Sequence, residues 1–113
     1  MTATVLIPSY RRPDRLAKCL DGVMAGRRLP EQIVVVLRDI DQESQSCLDD
    51  WLAQNRPQDR GVTLTRAIAD RPGQIVAMNF GLQAATGDVV CFIDDDCVPW
   101  QDWLERIMAY YDE

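Results

Sequence analysis

The stretch QIVVVLRD, residues 32–39, contains five consecutive apolar residues and no alternation of polar and apolar side chains. A strand with one face in water alternates, whereas a strand that is covered on both faces is an unbroken apolar run. Such strands are typical of parallel sheets with helices on both faces. ATVLIPS at residues 3–9 and DVVCFID at residues 88–94 are runs of the same kind. These segments favour an α/β fold built on a mostly parallel sheet.

Segments with helical periodicity separate these runs. Residues 13–26 place Leu16, Cys19, Leu20 and Val23 on one helical face, at positions i, i+3, i+4 and i+7, which predicts an amphipathic helix with this face inward. The remaining predicted elements are helices at 44–55, 73–87 and 100–112 and a weaker strand at 61–67. Alternating strands and helices indicate βαβ units with right-handed crossovers. We therefore expect one Rossmann-like domain over residues 1–113, with a mostly parallel sheet of about four strands and flanking helices.

Two further predictions concern the cap of the second helix and the apolar face of the third. Ser44 or Ser46 is expected to cap the second helix, because a serine hydroxyl accepts a hydrogen bond from a free N–H of the first turn. In the third helix, Ile75, Met78, Leu82 and Ala85 recur at helical spacing, which predicts that these side chains face the sheet.

Composition argues against several classes of function. The formal net charge of −6 disfavours a nucleic-acid partner, because phosphate binding needs a basic face. The absence of histidine excludes Ser-His-Asp and Cys-His catalytic arrangements. The four cysteines form no C-x-x-C pair and are expected to be reduced thiols. No run approaches the ~20 apolar residues of a membrane span. Since the N-terminus also lacks a signal-peptide pattern, we expect a cytoplasmic location.

Polar residues follow three of the predicted strands, at positions 9–12, 38–39 and 94–96. Ligands of open α/β sheets bind beyond the carboxyl ends of the strands, so we expect these segments to converge. The third segment is three consecutive aspartates, which repel one another unless a cation compensates them. Mg²⁺ or Mn²⁺ uses one or two protein carboxylates together with water and phosphate oxygens. The sequence thus predicts a metal–phosphate site, with a solvated acidic turn as the alternative.

Two longer segments resemble a known family. VLIPSYRRPDRLAKCL, residues 5–20, is similar to the N-terminal strand–turn–helix of family 2 glycosyltransferases, usually written I-P-[ST]-Y-N-R-x-x-x-L-x-x-C-L. GLQAATGDVVCFIDDDCVPWQDWLERI, residues 81–107, resembles the region around their D-x-D motif. The resemblance implies the nucleotide-binding half of a GT-A fold. It also implies binding of a nucleotide-diphospho-sugar through Mg²⁺ or Mn²⁺, and transfer of the sugar to an acceptor in the complete enzyme.

The resemblance further implies roles for individual residues. The loop that holds the nucleotide base and ribose corresponds to Pro8, Ser9, Tyr10 and Arg11. The other implied nucleotide contacts are Asp39 for the uridine, Arg71 near the phosphates, Asn79 from the pattern A-R-N-x-G, and Asp94 and Asp95 for the ribose or for support of the loop. Asp96 is expected to bind the metal, together with Asp94.

Each of these contacts has a simpler alternative. Tyr10 and Arg11 also suit a solvated turn, Asp39 a loop acid without a ligand, and Asn79 a polar surface position. Three residues depart from the family's patterns: Arg38 and Ile40 replace an aspartate and the glycine of V-D-D-G-S, and Met78 replaces the arginine of A-R-N-x-G.

In the resembling enzymes an acceptor-binding half follows, and it supplies the catalytic base. No position among these 113 residues matches that base. We therefore expect the donor-binding part of a larger transferase, or a stand-alone remnant, with a UDP-sugar favoured as donor and the full-length enzyme peripheral at a membrane. An exposed sheet edge, where later strands would add, predicts a homodimer.

Three other functions compete with this interpretation. A phospho-receiver domain needs acids after the first strand and a lysine near the last, yet the only lysine is Lys18, in a predicted helix. A nucleotidyltransferase usually has a glycine-rich basic loop after its first strand, and PSYRRPDR at residues 8–15 has no glycine. A non-catalytic nucleotide-binding, metal-binding or interaction module that kept the fold also stays open, and the departures at Arg38, Ile40 and Met78 favour it.

Overall fold

A four-stranded, all-parallel sheet forms the centre of the computed structural model, which describes residues 1–112. The elements follow one another as β1 (Ala3–Pro8), α1 (Pro13–Met24), β2 (Gln32–Arg38), α2 (Gln42–Asn55), β3 (Thr63–Ala69), α3 (Gln74–Ala84), β4 (Val89–Phe92) and α4 (Trp103–Ala109). A short 3-10 helix, Pro57–Arg60, connects α2 to β3. The predicted α/β class and its four strands are confirmed. Across residues 1–112, no helix is long and apolar enough to cross a membrane.

The strand order β3-β2-β1-β4 creates a switch in chain direction beside β1. The chain moves outward from β1 through β2 to β3, and α1 and α2 pack on one face of the sheet. It then crosses back to the other side of β1, with α3 on the opposite face. Right-handed crossovers require this change of face when the direction reverses. The carboxyl ends of β1 and β4 therefore border the crevice in which open α/β sheets bind ligands.

The register of the strands assigns alternate residues to two cores. Val5 pairs with Ile33 on one side and Cys91 on the other, and all three belong to the larger core under α1, α2 and α4. The helices contribute fully or nearly fully buried side chains to this core: Leu16, Cys19, Leu20, Val23, Leu48, Trp51, Leu104 and Met108. The predicted inward face of α1 is therefore confirmed.

The smaller core lies between the sheet and α3, and it corrects one prediction. Ala77, Phe80 and Ala84 of α3 pack against this core, while Ile75 is 75 % exposed and Leu82 is also exposed. The predicted inward face of this helix was wrong. The physical reason is Gly81, because a Cβ atom there would lie 2.6 Å from Leu6 Cδ1 and 2.8 Å from Val36 Cγ2. The helix approaches the strands at Gly81, so the face that contains Gly81 packs on the sheet and Ile75 and Leu82 lie on the exposed side.

Replacing Gly81 with alanine should lower the free energy of unfolding by about 1 kcal/mol, because a steric cost of about 2 kcal/mol outweighs a gain in helix propensity of about 1 kcal/mol. Urea denaturation followed by circular dichroism measures the change. Gln83→Ala, at an exposed position of the same helix, is the matched control and should change stability by less than about 0.5 kcal/mol. A Gly81→Ala variant more stable than the parent chain would contradict the close approach.

The start of α2 corrects a second prediction. The helix begins at Gln42, and its N-cap is Asp41, whose side chain accepts a hydrogen bond from Ser44 N at 3.2 Å. Neither Ser44 nor Ser46 is the cap. Both lie inside the helix, because Asp41, three residues after the end of β2, already offers a carboxylate to the first turn.

Candidate functional site

The carboxyl ends of β1, β2 and β4 surround a cavity of about 570 Å³. Its lining comes from the loop after β1, the end of β2, the start of α3 and the turn after β4: Pro8, Ser9, Tyr10, Arg12, Arg38, Pro72, Gly73, Gln74, Ala77, Asp94, Asp95 and Asp96. All three polar segments that follow strands contribute to it. The predicted convergence of these segments is confirmed, because parallel strands bring their carboxyl ends to one edge of the sheet.

Asp95 is the structural member of the aspartate cluster. Asp95 is buried, with only 6 % of the residue exposed to solvent. Ser9 Oγ donates a hydrogen bond to Asp95 Oδ2 at 2.7 Å, and Arg12 Nη1 donates to Asp95 Oδ1 at 3.3 Å. These bonds cross the switch point, because they join the loop after β1 to the turn after β4. Asp95 thus supports the loop.

Asp94 and Asp96 are exposed at the cavity, unlike Asp95. Neither carboxylate forms an ion pair or a hydrogen bond with nitrogen or oxygen among residues 1–112, although Cys97 Sγ makes a long contact of 3.6 Å with Asp96 Oδ1. No group of three acidic, histidine or cysteine side chains within that range is arranged to hold a metal. Two accessible carboxylates nevertheless fit a hard cation such as Mg²⁺, which takes its other ligands from water and phosphate.

Tyr10 forms an aromatic wall of the cavity between two arginines. The Arg11 guanidinium carbon lies 5.1 Å from the centre of the Tyr10 ring, and that of Arg38 lies 5.8 Å away. Both distances are within the range of a cation–π interaction. The ring is partly exposed, so it is accessible to a planar ligand.

The Asp41 side chain holds the loop that carries Tyr10 in place. Arg11 N donates a hydrogen bond to Asp41 Oδ2 at 2.6 Å, and Asp41 is buried. Arg11 itself has a φ of 52°, in the left-handed region that L-residues with side chains rarely adopt. One carboxylate therefore caps α2 and fixes a strained residue of the site loop. The sequence analysis missed this role, although an aspartate directly before a helix is a recognisable cap signal.

Four of the predicted contact residues do not line the cavity: Arg11, Asp39, Arg71 and Asn79. Arg11 contributes only through its backbone N–H, which donates to Asp41 and holds the loop after β1. Asp39 is exposed beside Arg38, the Arg71 side chain pairs with Asp70 at 3.0 Å, and Asn79 is exposed on α3. The loop before α3, residues 72–73, and Gln74 lie in the lining instead. The sequence analysis missed them, although Gly73, with a φ of 116°, marks the turn.

The four cysteines are free, as expected. Cys19 is completely buried beneath the aspartate turn, and its Sγ donates to Asp94 O at 3.7 Å. Burial, together with the negative charges of the aspartates, raises the pKa of Cys19 to about 12. Its thiol is therefore protonated at neutral pH and supports the turn as a packed, neutral group.

Comparison with known proteins assigns the family. The profile described as Glycosyl transferase family 2 matches residues 4–113. The chain belongs to this family. Glycosyltransferase AglE of Haloferax volcanii is 31 % identical over 104 residues, which are 91 % of this chain and 33 % of AglE. The glucosyl-dolichyl phosphate glucuronosyltransferase of the same organism is 24 % identical over 120 residues, 99 % of this chain and 34 % of that enzyme. The chain thus spans about a third of the length of these relatives.

Solved structures confirm the GT-A fold. The mannosyltransferase PcManGT of Pyrobaculum calidifontis, in complex with GDP-Man and Mn²⁺, aligns with a TM-score of 0.81 at 25 % identity, over 98 % of this chain and 32 % of its own. TarS of S. aureus, in complex with UDP-GlcNAc, aligns with a TM-score of 0.72 at 19 % identity, over 99 % of this chain and 31 % of its own. Glucosyl-3-phosphoglycerate synthase of Mycobacterium tuberculosis, with Mn²⁺, UDP and phosphoglyceric acid, aligns at 0.71 and 18 % identity, over 97 % of this chain and 38 % of its own.

Proposed function

We propose that this chain binds the nucleotide-diphospho-sugar donor of a glycosyltransferase, as the donor-binding part of a larger enzyme that transfers the sugar to an acceptor. The observation that carries the proposal is the cavity at the switch point. There, two accessible carboxylates, Asp94 and Asp96, share one lining with the aromatic ring of Tyr10. Three neighbouring structures support it, since these proteins are in complex with GDP-Man, UDP-GlcNAc or UDP, two of them with Mn²⁺.

Part of the cavity lining suits the diphosphate of such a donor. Asp94 and Asp96 are the residues that would hold Mg²⁺ or Mn²⁺. When bound, the cation supplies positive charge that neutralises the diphosphate and favours its departure from the sugar. The start of α3, at Gly73 and Gln74, also lines the cavity, and a helix N-terminus favours an anion such as phosphate.

The remaining lining residues orient the nucleoside and support the site. The Tyr10 ring offers a stacking surface to a base. Ser9 and Arg12 act through Asp95, which they hold in place between the two loops. Asp39, Arg71 and Asn79 lie outside the lining, so the proposal gives them no contact with the donor.

Titration calorimetry of GDP and of UDP into the chain, with Mn²⁺ and with a chelator, tests the proposal. We expect at least one nucleotide to bind with Mn²⁺ and to lose about tenfold or more in affinity with the chelator, because the cation links the phosphates to the carboxylates. Asp96→Ala should cause a similar loss in the presence of Mn²⁺. Asp50→Ala, which removes the same charge from an exposed position on α2, is the matched control and should bind like the parent chain.

Two results would contradict the proposal in different ways. Equal affinity with and without the cation, unchanged in Asp96→Ala, would remove the metal from the site while leaving a nucleotide pocket. No binding of either nucleotide under any of these conditions would make the aspartates structural and would favour a non-catalytic interaction module.

A further inference from the structure

Arg38 occupies a distinctive place in the cavity. It ends β2, whereas the exposed aspartates follow β4, and β1 lies between these two strands. Neighbouring strands are about 4.8 Å apart, so Arg38 is about two strand spacings, or roughly 10 Å, from the aspartate turn. A diphosphate held at Asp94 and Asp96 therefore leaves its nucleoside, and not its phosphates, beside Arg38. This step rests on the donor site proposed above.

The Arg38 side chain is held in place but keeps hydrogen-bond donors available. The side chain is only 18 % exposed and lies against the Tyr10 ring. Its Nε atom is buried, 3.4 Å from Asp39 Oδ1, which is an ion pair by distance. Nε makes no hydrogen bond among residues 1–112, and because this atom is buried, the donors left for a ligand are those of the two Nη atoms, which also make no hydrogen bond within that range. A fixed, donor-only group thus stands next to the aromatic surface on which a base would stack.

The chemistry of the bases decides what such a group recognises. A guanidinium has several N–H donors in a planar fork and no acceptor. Guanine presents two adjacent acceptors, O6 and N7, which match that fork. Adenine presents one acceptor beside an amino donor, and uracil presents O4 beside the N3–H donor, so neither base offers two adjacent acceptors to the fork. We propose that Arg38 makes the donor site selective for a guanine nucleotide, so that the donor is a GDP-sugar and not the UDP-sugar that the family resemblance favours.

The experiment compares GDP, ADP and UDP by titration calorimetry in the presence of Mn²⁺, with the 113-residue chain and its variants. GDP should bind about tenfold more tightly than UDP or ADP, the discrimination expected of one bidentate arginine contact. Arg38→Asp should abolish this preference by weakening GDP. Arg38→Lys keeps the charge but loses the fork, so it should lose the preference as well. Arg15→Asp makes the same charge change on the exposed face of α1 and should keep the preference.

The outcomes separate this inference from the donor site itself. If GDP and UDP bind with equal, Mn²⁺-dependent affinity, the donor site stands and the guanine selectivity is overturned. If ADP binds as tightly as GDP, purine stacking on Tyr10, and not Arg38, sets the preference. If Arg38→Asp and Arg38→Lys weaken all three nucleotides by one factor, Arg38 contacts the phosphates and the assignment is wrong. If no nucleotide binds, the donor site and this inference fail together.

Discussion

Replacing Asp41 with alanine should lower the free energy of unfolding by about 3 kcal/mol, because the variant loses a helix cap and leaves a buried N–H without an acceptor. The Asp41 carboxylate accepts hydrogen bonds from Ser44 N in the first turn of α2 and from Arg11 N in the loop after β1. The second bond also holds Arg11 at its φ of 52°. Without it, the loop that carries Tyr10 should relax, and nucleotide affinity should fall together with stability.

Asp41→Asn separates the two bonds, because its amide oxygen can still accept from Ser44 N, whereas its NH₂ group replaces the oxygen that accepts from Arg11 N. We expect it to lose less stability than Asp41→Ala. Urea denaturation followed by circular dichroism measures both values, with the same slope for each variant if the unfolded state is unchanged. Equal losses in the two variants would mean that the helix cap contributes little and that the bond to Arg11 N carries the stabilisation.

The strands of this fold were predictable because their sequences carry a local signal. Residues 33–37 are apolar without interruption and rich in β-branched side chains, a pattern typical of a strand covered on both faces. The face that α3 presents was not predictable in the same way. Its sequence offers two apolar faces, and the choice between them depends on the contact of Gly81 with Leu6 and Val36, which are distant in sequence. A glycine carries no hydrophobic signal, so periodicity alone selects the wrong face.

The candidate site was predictable in outline for a similar reason. Parallel strands place their carboxyl ends together, so three polar strand ends had to meet at one edge. β4 ends at Phe92, and Asp95 and Asp96 lie in the turn that follows, so the alternation of a strand does not decide which of the three acids is buried. The partners of Asp95 were not predictable. Ser9 becomes its neighbour only because α3 brings β4 back beside β1.

Asp95→Ala should lower the free energy of unfolding by about 2–3 kcal/mol, because the buried Ser9 hydroxyl loses its charged acceptor. The ion pair with Arg12 adds little to this figure, since half of the Arg12 side chain is exposed to solvent. The loss should be accompanied by weaker nucleotide binding, because the loop after β1 and the turn after β4 are no longer joined. Urea denaturation and titration of nucleotide with Mn²⁺ measure the two effects on one preparation.

Asp94→Ala is the decisive comparison, because it also removes a carboxylate, but from the neighbouring position, which is exposed. Its stability should lie within about 0.5 kcal/mol of the parent chain, as for most surface substitutions. Its Mn²⁺-dependent nucleotide binding should nevertheless fall, as in Asp96→Ala. Asp95 would then stabilise the fold, whereas Asp94 and Asp96 would bind the ligand. If Asp94→Ala and Asp95→Ala lost equal stability, that division would be wrong, and the whole turn would serve the fold.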